Sequence, residues 1–127
     1  MEKEMYGDIL QEEDVKRLVN TFYDKVQNDV LLSVVFAPVI KDNWPLHLQK
    51  MTDFWSTILL YTKKYKADPM PKHMPLQVDK AHFERWLQLF NETIDELFEG
   101  QVAANAKLRA NSIARIMQAV KGIEPKV

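Results

Sequence analysis

Apolar residues recur at steps of three and four along most of the chain, which is the spacing of one face of an α-helix. The first such run lies before residue 30 and predicts a long helix. Glu12 and Asp14 fall in its first turn, where exposed backbone amides favour negative charge, and Asn28-Asp29 is expected to end it. Its predicted buried face consists of Val15, Leu18, Val19, Phe22, Tyr23 and Val26.

A short apolar segment and a second long helix are predicted next. Residues 30–36 are apolar except for one serine, and Pro38 is expected to close this segment because its ring disfavours a helical conformation for the preceding residue. Asp42 or Asn43 can cap the second long helix, and Pro45 is tolerated in its first turn. This helix is apolar over more than half of its circumference, which predicts deep burial, through His47, Met51, Phe54, Ile58 and Tyr61 on one face and Trp44, Leu48, Trp55 and Leu59 beside it.

Prolines separate this helix from the last two. Residues 67–79 read ADPMPKHMPLQVD, and three prolines within seven residues exclude a regular long helix there. Asp79 is expected to cap a third long helix that runs to Gly100, and the last helix is predicted from about Val102 to Val120. The inward positions are Phe83, Trp86, Leu87, Phe90, Ile94 and Leu97 on the third helix and Ala106, Ala110, Ile113, Met117 and Val120 on the last.

The pattern as a whole predicts an all-α fold, because no segment alternates apolar and polar residues as a strand does. A chain of 127 residues with 46% hydrophobic content is of a size to bury one core. We therefore expect a single domain over 1–127, with an N-terminal extension at 1–12 and a C-terminal tail at 122–127.

Composition narrows the classes of partner and chemistry. The formal net charge of −1 offers no basic surface for nucleic acid or anionic lipid. The longest apolar run is about half of the ~20 residues that a membrane helix needs, and residues 1–5 do not read as a secretion signal. The absence of cysteine excludes disulfides, thiolate metal sites and covalent haem attachment through thioethers. We expect a cytoplasmic protein that is a monomer or weak dimer.

His73 is the most informative candidate for chemistry, because prolines restrict the loop that holds it between two aromatic-lined helices. An iron porphyrin is a flat apolar disc whose iron takes a neutral imidazole. Taken alone, His73 is more often an exposed loop histidine, Tyr23 and Trp86 are more often core residues, and His82 is best explained as a residue at a helix start.

Three stretches favour a functional interpretation of these residues over a structural one: FYDKVQNDVLLSVVF, WPLHLQKMTDFW and PMPKHMPLQVDKAHFERWLQLF. Their order and spacing resemble the third subgroup of the truncated haemoglobins over most of residues 15–120. The resemblance implies a globin-like, two-over-two helical sandwich around non-covalent haem b. It also implies that a short loop presents the iron-binding histidine.

Carried over position by position, the resemblance assigns the iron to His73. It implies that Tyr23, His47 and Trp86 surround a ligand on the distal side of the haem. The remaining implied contacts with the haem ring or its carboxylates come from Phe36, Lys50, Met51, Phe54, Lys72 and Phe83. The chain lacks the paired glycines of other truncated globins and has Asn28-Asp29 and Lys66-Ala67 at those positions. The resemblance therefore does not assign a route of ligand access.

The implied function is binding of oxygen, nitric oxide or similar small ligands. Several hydrogen-bond donors around a ligand slow its release, which favours detoxification or sensing over bulk oxygen transport. Nitric oxide dioxygenase-like or peroxidase-like turnover would need an external reductase or small reductant. The sequence therefore does not decide whether the protein is an enzyme. The alternatives are a non-haem helical interaction or regulatory module and a di-iron carboxylate bundle, for which the chain offers only Asp79-x-x-His82.

Overall fold

The computed structural model describes residues 7–62 and 79–120. These two ranges contain helices and no strand, so the predicted all-α fold is confirmed. The helices are α1 (Glu12–Asn28), α2 (Val30–Ile40), α3 (Trp44–Leu60), α4 (Lys80–Leu97) and α5 (Gln101–Val120).

Helix α1 lies at the centre of the packing. It contacts α2, α3 and α4, while α5 packs mainly on α4. The face predicted from its spacing is the face that the structure buries: Val15, Leu18, Val19, Phe22, Tyr23 and Val26 are each at most 2% exposed. The helix begins where the Asp14 carboxylate accepts the backbone N–H groups of Leu10 and Gln11.

Helix α2 corrects one expectation, since it continues through Pro38 to Ile40. A proline inside a helix forfeits the hydrogen bond to the carbonyl four residues earlier. That carbonyl belongs to Val34, which is 69% exposed, so we infer that water can replace the lost donor. The helix ends instead at Lys41, whose positive φ of 54° departs from helical geometry.

The last two helices are capped at their N-termini by carboxylates of residues that lie outside the helices. The Asp79 carboxylate accepts the N–H of Ala81 at the start of α4, and the ring Nδ1 of His82 accepts the N–H of Asp79 at 3.0 Å. Asp8 caps α5 by accepting the N–H groups of Val102 and Ala103, both at 2.8 Å. Asp8 and the fully buried Ile9 lie in the segment that was predicted to be an extension, so part of that segment packs onto the helical core.

Aromatic rings fill the space between α1, α3 and α4. Phe22 contacts Phe90 edge to face at 5.2 Å between centroids, and Phe90 stacks on Trp55 at 4.9 Å. No helix in the described ranges has the length and apolar character to cross a membrane.

Candidate functional site

Tyr23 is the polar residue at the centre of the site. It lies on the buried face of α1 and is 2% exposed. Its ring meets the His47 ring edge to face with centroids 4.9 Å apart, and the rings of Trp44 and Phe36 follow at 6.1 and 6.3 Å. The Tyr23 hydroxyl is therefore held in a largely apolar setting between α1, α2 and α3.

Trp86 approaches Tyr23 from α4. Its indole packs edge to face on Phe22 at 5.6 Å and is nearly parallel to Phe90, with 13° between the planes at 5.7 Å. These two contacts fix the plane of the indole, and its N–H interacts with the Tyr23 hydroxyl. Because an indole N–H can only donate, the phenol oxygen is the acceptor in this interaction.

Burial raises the pKa of Tyr23 well above its ordinary value, and the interaction with Trp86 offsets part of that rise. The phenol consequently stays protonated across the physiological range and keeps its O–H donor. Two neutral donors, one hydroxyl and one indole N–H, thus lie side by side in apolar surroundings.

The structure brings the three predicted distal residues together, since Tyr23 contacts both His47 and Trp86. Among the predicted haem contacts, Phe36 and Met51 are buried. Phe54, Phe83 and Lys50 are half-buried. His73 and Lys72 lie outside the described residues.

The lining suits a flat apolar group. Helices α3 and α4 meet through the stacked rings of Trp55 and Phe90 rather than along their backbones. In the chain, α3 precedes the segment with His73 and α4 follows it. Both helices have apolar side chains that are only half-buried: Phe54 and Ile58 on α3, and Phe83, Trp86 and Leu87 on α4. An apolar lining with two neutral donors is the chemistry that a haem and a small ligand on it require. The residues present therefore fit haem.

A small cavity of about 160 Å³ lies beside this site. His47 and Lys50 line it together with Val39, Ile40, Asn43 and Leu46, at the junction of α2 and α3. Because His47 also contacts Tyr23, its ring stands between the cavity and the distal donors.

Sequence reasoning missed one ion pair at the site. Arg85, which precedes Trp86, donates from Nε to the Asp29 carboxylate at 2.6 Å. Asp29 was predicted only as the end of α1, and Arg85 was assigned no role. The two residues are 56 positions apart in the chain, and no local pattern links them.

An all-helical chain with a buried phenol and a half-buried indole beside half-buried apolar side chains is consistent with a haem-binding globin. The family model described as bacterial-like globin matches residues 4–121. The chain therefore belongs to the bacterial-like globins, in the third subgroup of the truncated haemoglobins.

Two similar proteins support membership of the truncated haemoglobins, and the first of them supports the third subgroup. The chain is 30% identical to the group 3 truncated hemoglobin ctb of Campylobacter jejuni, over 90% of this chain and 93% of that protein. It is 27% identical to the group 2 truncated hemoglobin YjbI of Bacillus subtilis, over 72% and 70%.

Solved structures agree with the sequence comparison. The crystal structure of the group III truncated hemoglobin from Campylobacter jejuni superposes with a TM-score of 0.83 at 29% identity, covering 91% of this chain and 94% of that one. The truncated oxygen-avid haemoglobin from Bacillus subtilis gives 0.72 at 25% identity, covering 84% and 92%. Membership of a haem-binding family sets aside a non-haem helical module and a di-iron bundle.

Proposed function

We propose that this chain holds haem b without a covalent bond, with His73 as the iron ligand, and retains oxygen, nitric oxide or similar small ligands against dissociation. The observation that supports this most directly is the pairing of the buried Tyr23 hydroxyl with the Trp86 indole N–H. When bound, haem supplies a ferrous iron that coordinates diatomic molecules and transfers electron density to them.

Tyr23 would stabilise that electron density by donating a hydrogen bond from its O–H, and Trp86 would orient this donor through its indole N–H. The interaction with Trp86 engages the phenol oxygen, which leaves the phenol O–H to point elsewhere. Burial strengthens a hydrogen bond because the surroundings have a low dielectric constant. A ligand held by such donors leaves slowly, which favours detoxification or sensing over bulk oxygen transport.

His47 is the residue that would control access from the α2–α3 side. It lines the 160 Å³ cavity on one side and contacts Tyr23 on the other. In this proposal its ring swings aside to admit a ligand, or supplies a third donor once the ligand is in place. Lys50, on the rim of the same cavity, and Lys72 would pair with the haem carboxylates.

Turnover of nitric oxide or peroxide would require electrons from outside the chain. A separate reductase or a small reductant is the proposed electron source. We place this reaction in the cytoplasm, where reductants of both kinds are found.

The test begins with absorption spectra of the purified protein in its ferric, ferrous and carbonmonoxy forms. Bound haem gives an intense band near about 400 nm, and His73→Ala is expected to abolish it while helical content is retained. A colourless parent protein after expression with haem supply would contradict the proposal.

The donor role is tested by Tyr23→Phe in the haem-loaded protein. Loss of one hydrogen bond of about 1.4 kcal/mol accelerates oxygen dissociation about tenfold. Tyr61→Phe is the matched control, because Tyr61 is 74% exposed and its hydroxyl lies outside the core. Equal dissociation rates in the parent and Tyr23→Phe would reject the hydroxyl as a donor.

A further inference from the structure

Asp29 occupies the corner where α1 ends and α2 begins. One carboxylate oxygen, Oδ2, accepts the backbone N–H groups of Leu31 and Leu32 at 3.1 and 3.0 Å, which caps α2. The other oxygen, Oδ1, accepts Nε–H of Arg85 at 2.6 Å. The Asp29 side chain is 7% exposed, so this is an enclosed charge with both oxygens engaged.

Arg85 and Trp86 are consecutive residues of α4, and consecutive helical side chains point about 100° apart. Arg85 therefore reaches the α1–α2 corner while Trp86 faces Phe22 and Tyr23 on α1. A short charge-assisted hydrogen bond on one side of the Trp86 backbone limits both rotation of α4 about its axis and sliding along it. Either motion would move the indole N–H relative to the phenol.

We infer that Asp29 and Arg85 are positioning residues that hold the Trp86 indole N–H at the Tyr23 hydroxyl. The inference rests on the proposed ligand-binding function and extends it to two residues that do not touch the ligand. Removing the pair is expected to leave the haem and the donors in place and to loosen the placement of one donor.

A second ion pair provides the matched control. Lys25 and Glu96 join the same two helices, α1 and α4, at 2.8 Å. Glu96 lies ten residues beyond Trp86 on α4, and its side chain is 56% exposed. Breaking this pair removes an α1–α4 contact without releasing the backbone next to Trp86.

The experiment uses the haem-loaded protein and the variants Arg85→Met, Asp29→Asn and Glu96→Gln. Asp29→Asn keeps an oxygen to cap α2, and Arg85→Met keeps an apolar stem, so both remove the ion pair with little change in side-chain shape. The first readout is the ¹H–¹⁵N indole resonance of Trp86 in the carbonmonoxy form, assigned with Trp86→Phe. The resonances of Trp44 and Trp55 report general loosening of the fold.

We expect Arg85→Met and Asp29→Asn to shift the Trp86 resonance and to accelerate oxygen dissociation by about threefold, less than Trp86→Phe does. The double variant that combines Asp29→Asn with Arg85→Met should behave like either single variant, because each single change already removes the same interaction. Glu96→Gln should change neither readout.

Two other outcomes are decisive. If Trp86→Phe accelerates dissociation while Arg85→Met and Asp29→Asn leave both readouts unchanged, or shift all three indole resonances alike, the positioning role is overturned. If neither Trp86→Phe nor Tyr23→Phe changes the rate of oxygen dissociation, the proposed donor function is contradicted instead.

Discussion

At the scale of single residues, burial decides which chemical form of Tyr23 is available. A phenol that is 2% exposed in contact with aromatic rings cannot ionise easily, because the phenolate would lose its hydration. The same enclosure that makes ionisation costly also makes the neutral O–H a stronger donor. Burial and function therefore favour the same protonation state.

Gly100 shows how tightly a single position can be restricted. Its φ of 152° is rarely adopted by residues with a side chain, and a Cβ there would overlap the carboxylate of Asp8. We expect Gly100→Ala to lower the free energy of unfolding by about 1–3 kcal/mol, because Asp8 would be displaced from its cap on α5. Urea unfolding monitored by circular dichroism measures the change.

Gly7→Ala is the control for this prediction, since a Cβ at Gly7 has no atom within 4 Å. It should leave the unfolding free energy within about 0.5 kcal/mol of the parent. Similar values for both variants would show that the overlap at Gly100 is relieved without cost.

Spacing and residue type are sufficient to select some residues that the structure brings together. Tyr23, His47 and Trp86 could be chosen as partners because each lies on the apolar face of its helix and the resemblance supplies their intervals. The roles of Asp29, Arg85 and Asp8 depend instead on contacts between positions 56 and 94 residues apart. Such contacts are set by packing and leave no local pattern.

At the scale of elements, the ends of α2 show where local rules stop applying. Its cap, Asp29, follows the usual chemistry of helix starts, whereas Pro38 does not end the helix. The steric rule for the residue before proline is a preference of limited size. Here packing of Phe36 and Ile40 into the core outweighs that preference and carries the helix past the proline.

Lys41 is the strained end of α2. Its φ of 54° and ψ of −119° are unfavourable for a residue with a Cβ, whereas glycine adopts positive φ readily. We expect Lys41→Gly to raise the free energy of unfolding by about 1 kcal/mol. The hydrogen bond from the N–H of residue 41 to Ala37 is retained, because glycine keeps its amide.

The neighbouring Asp42→Gly is the matched comparison, since Asp42 is exposed and does not have positive φ. It should lower the unfolding free energy by about 0.5–1 kcal/mol, because glycine gains conformational freedom in the unfolded chain. Thermal and urea unfolding of the two variants measure the difference. A decrease of equal size in both would contradict strain at Lys41.

At the scale of the whole molecule, the Asp29–Arg85 pair connects the α1–α2 corner to α4 and makes the fold sensitive to acid. Burial by itself raises the pKa of Asp29. The hydrogen bond and charge of Arg85, together with the amides of Leu32 and Leu31, outweigh that effect and hold the pKa below its ordinary value.

The sign of the acid effect follows from linkage between proton binding and folding. Because the folded pKa of Asp29 lies below the unfolded one, the unfolded chain binds the proton more readily. The stabilisation is present above the unfolded pKa, near about 4, and is lost as the pH falls through the folded pKa. Asp29→Asn should lower the unfolding free energy by about 2 kcal/mol at neutral pH, and the gap to the parent should narrow in acid.

Urea unfolding of the haem-loaded parent and Asp29→Asn between pH 7 and pH 3 measures that gap. Titrating groups that the two proteins share cancel in this comparison, so the difference between them isolates Asp29. The exposed Asp24, on the last turns of α1, provides Asp24→Asn as a control whose curve should follow the parent. A gap that stays constant down to pH 3 would mean that the charge of Asp29 contributes nothing, and that the loss at neutral pH comes from altered packing at the corner.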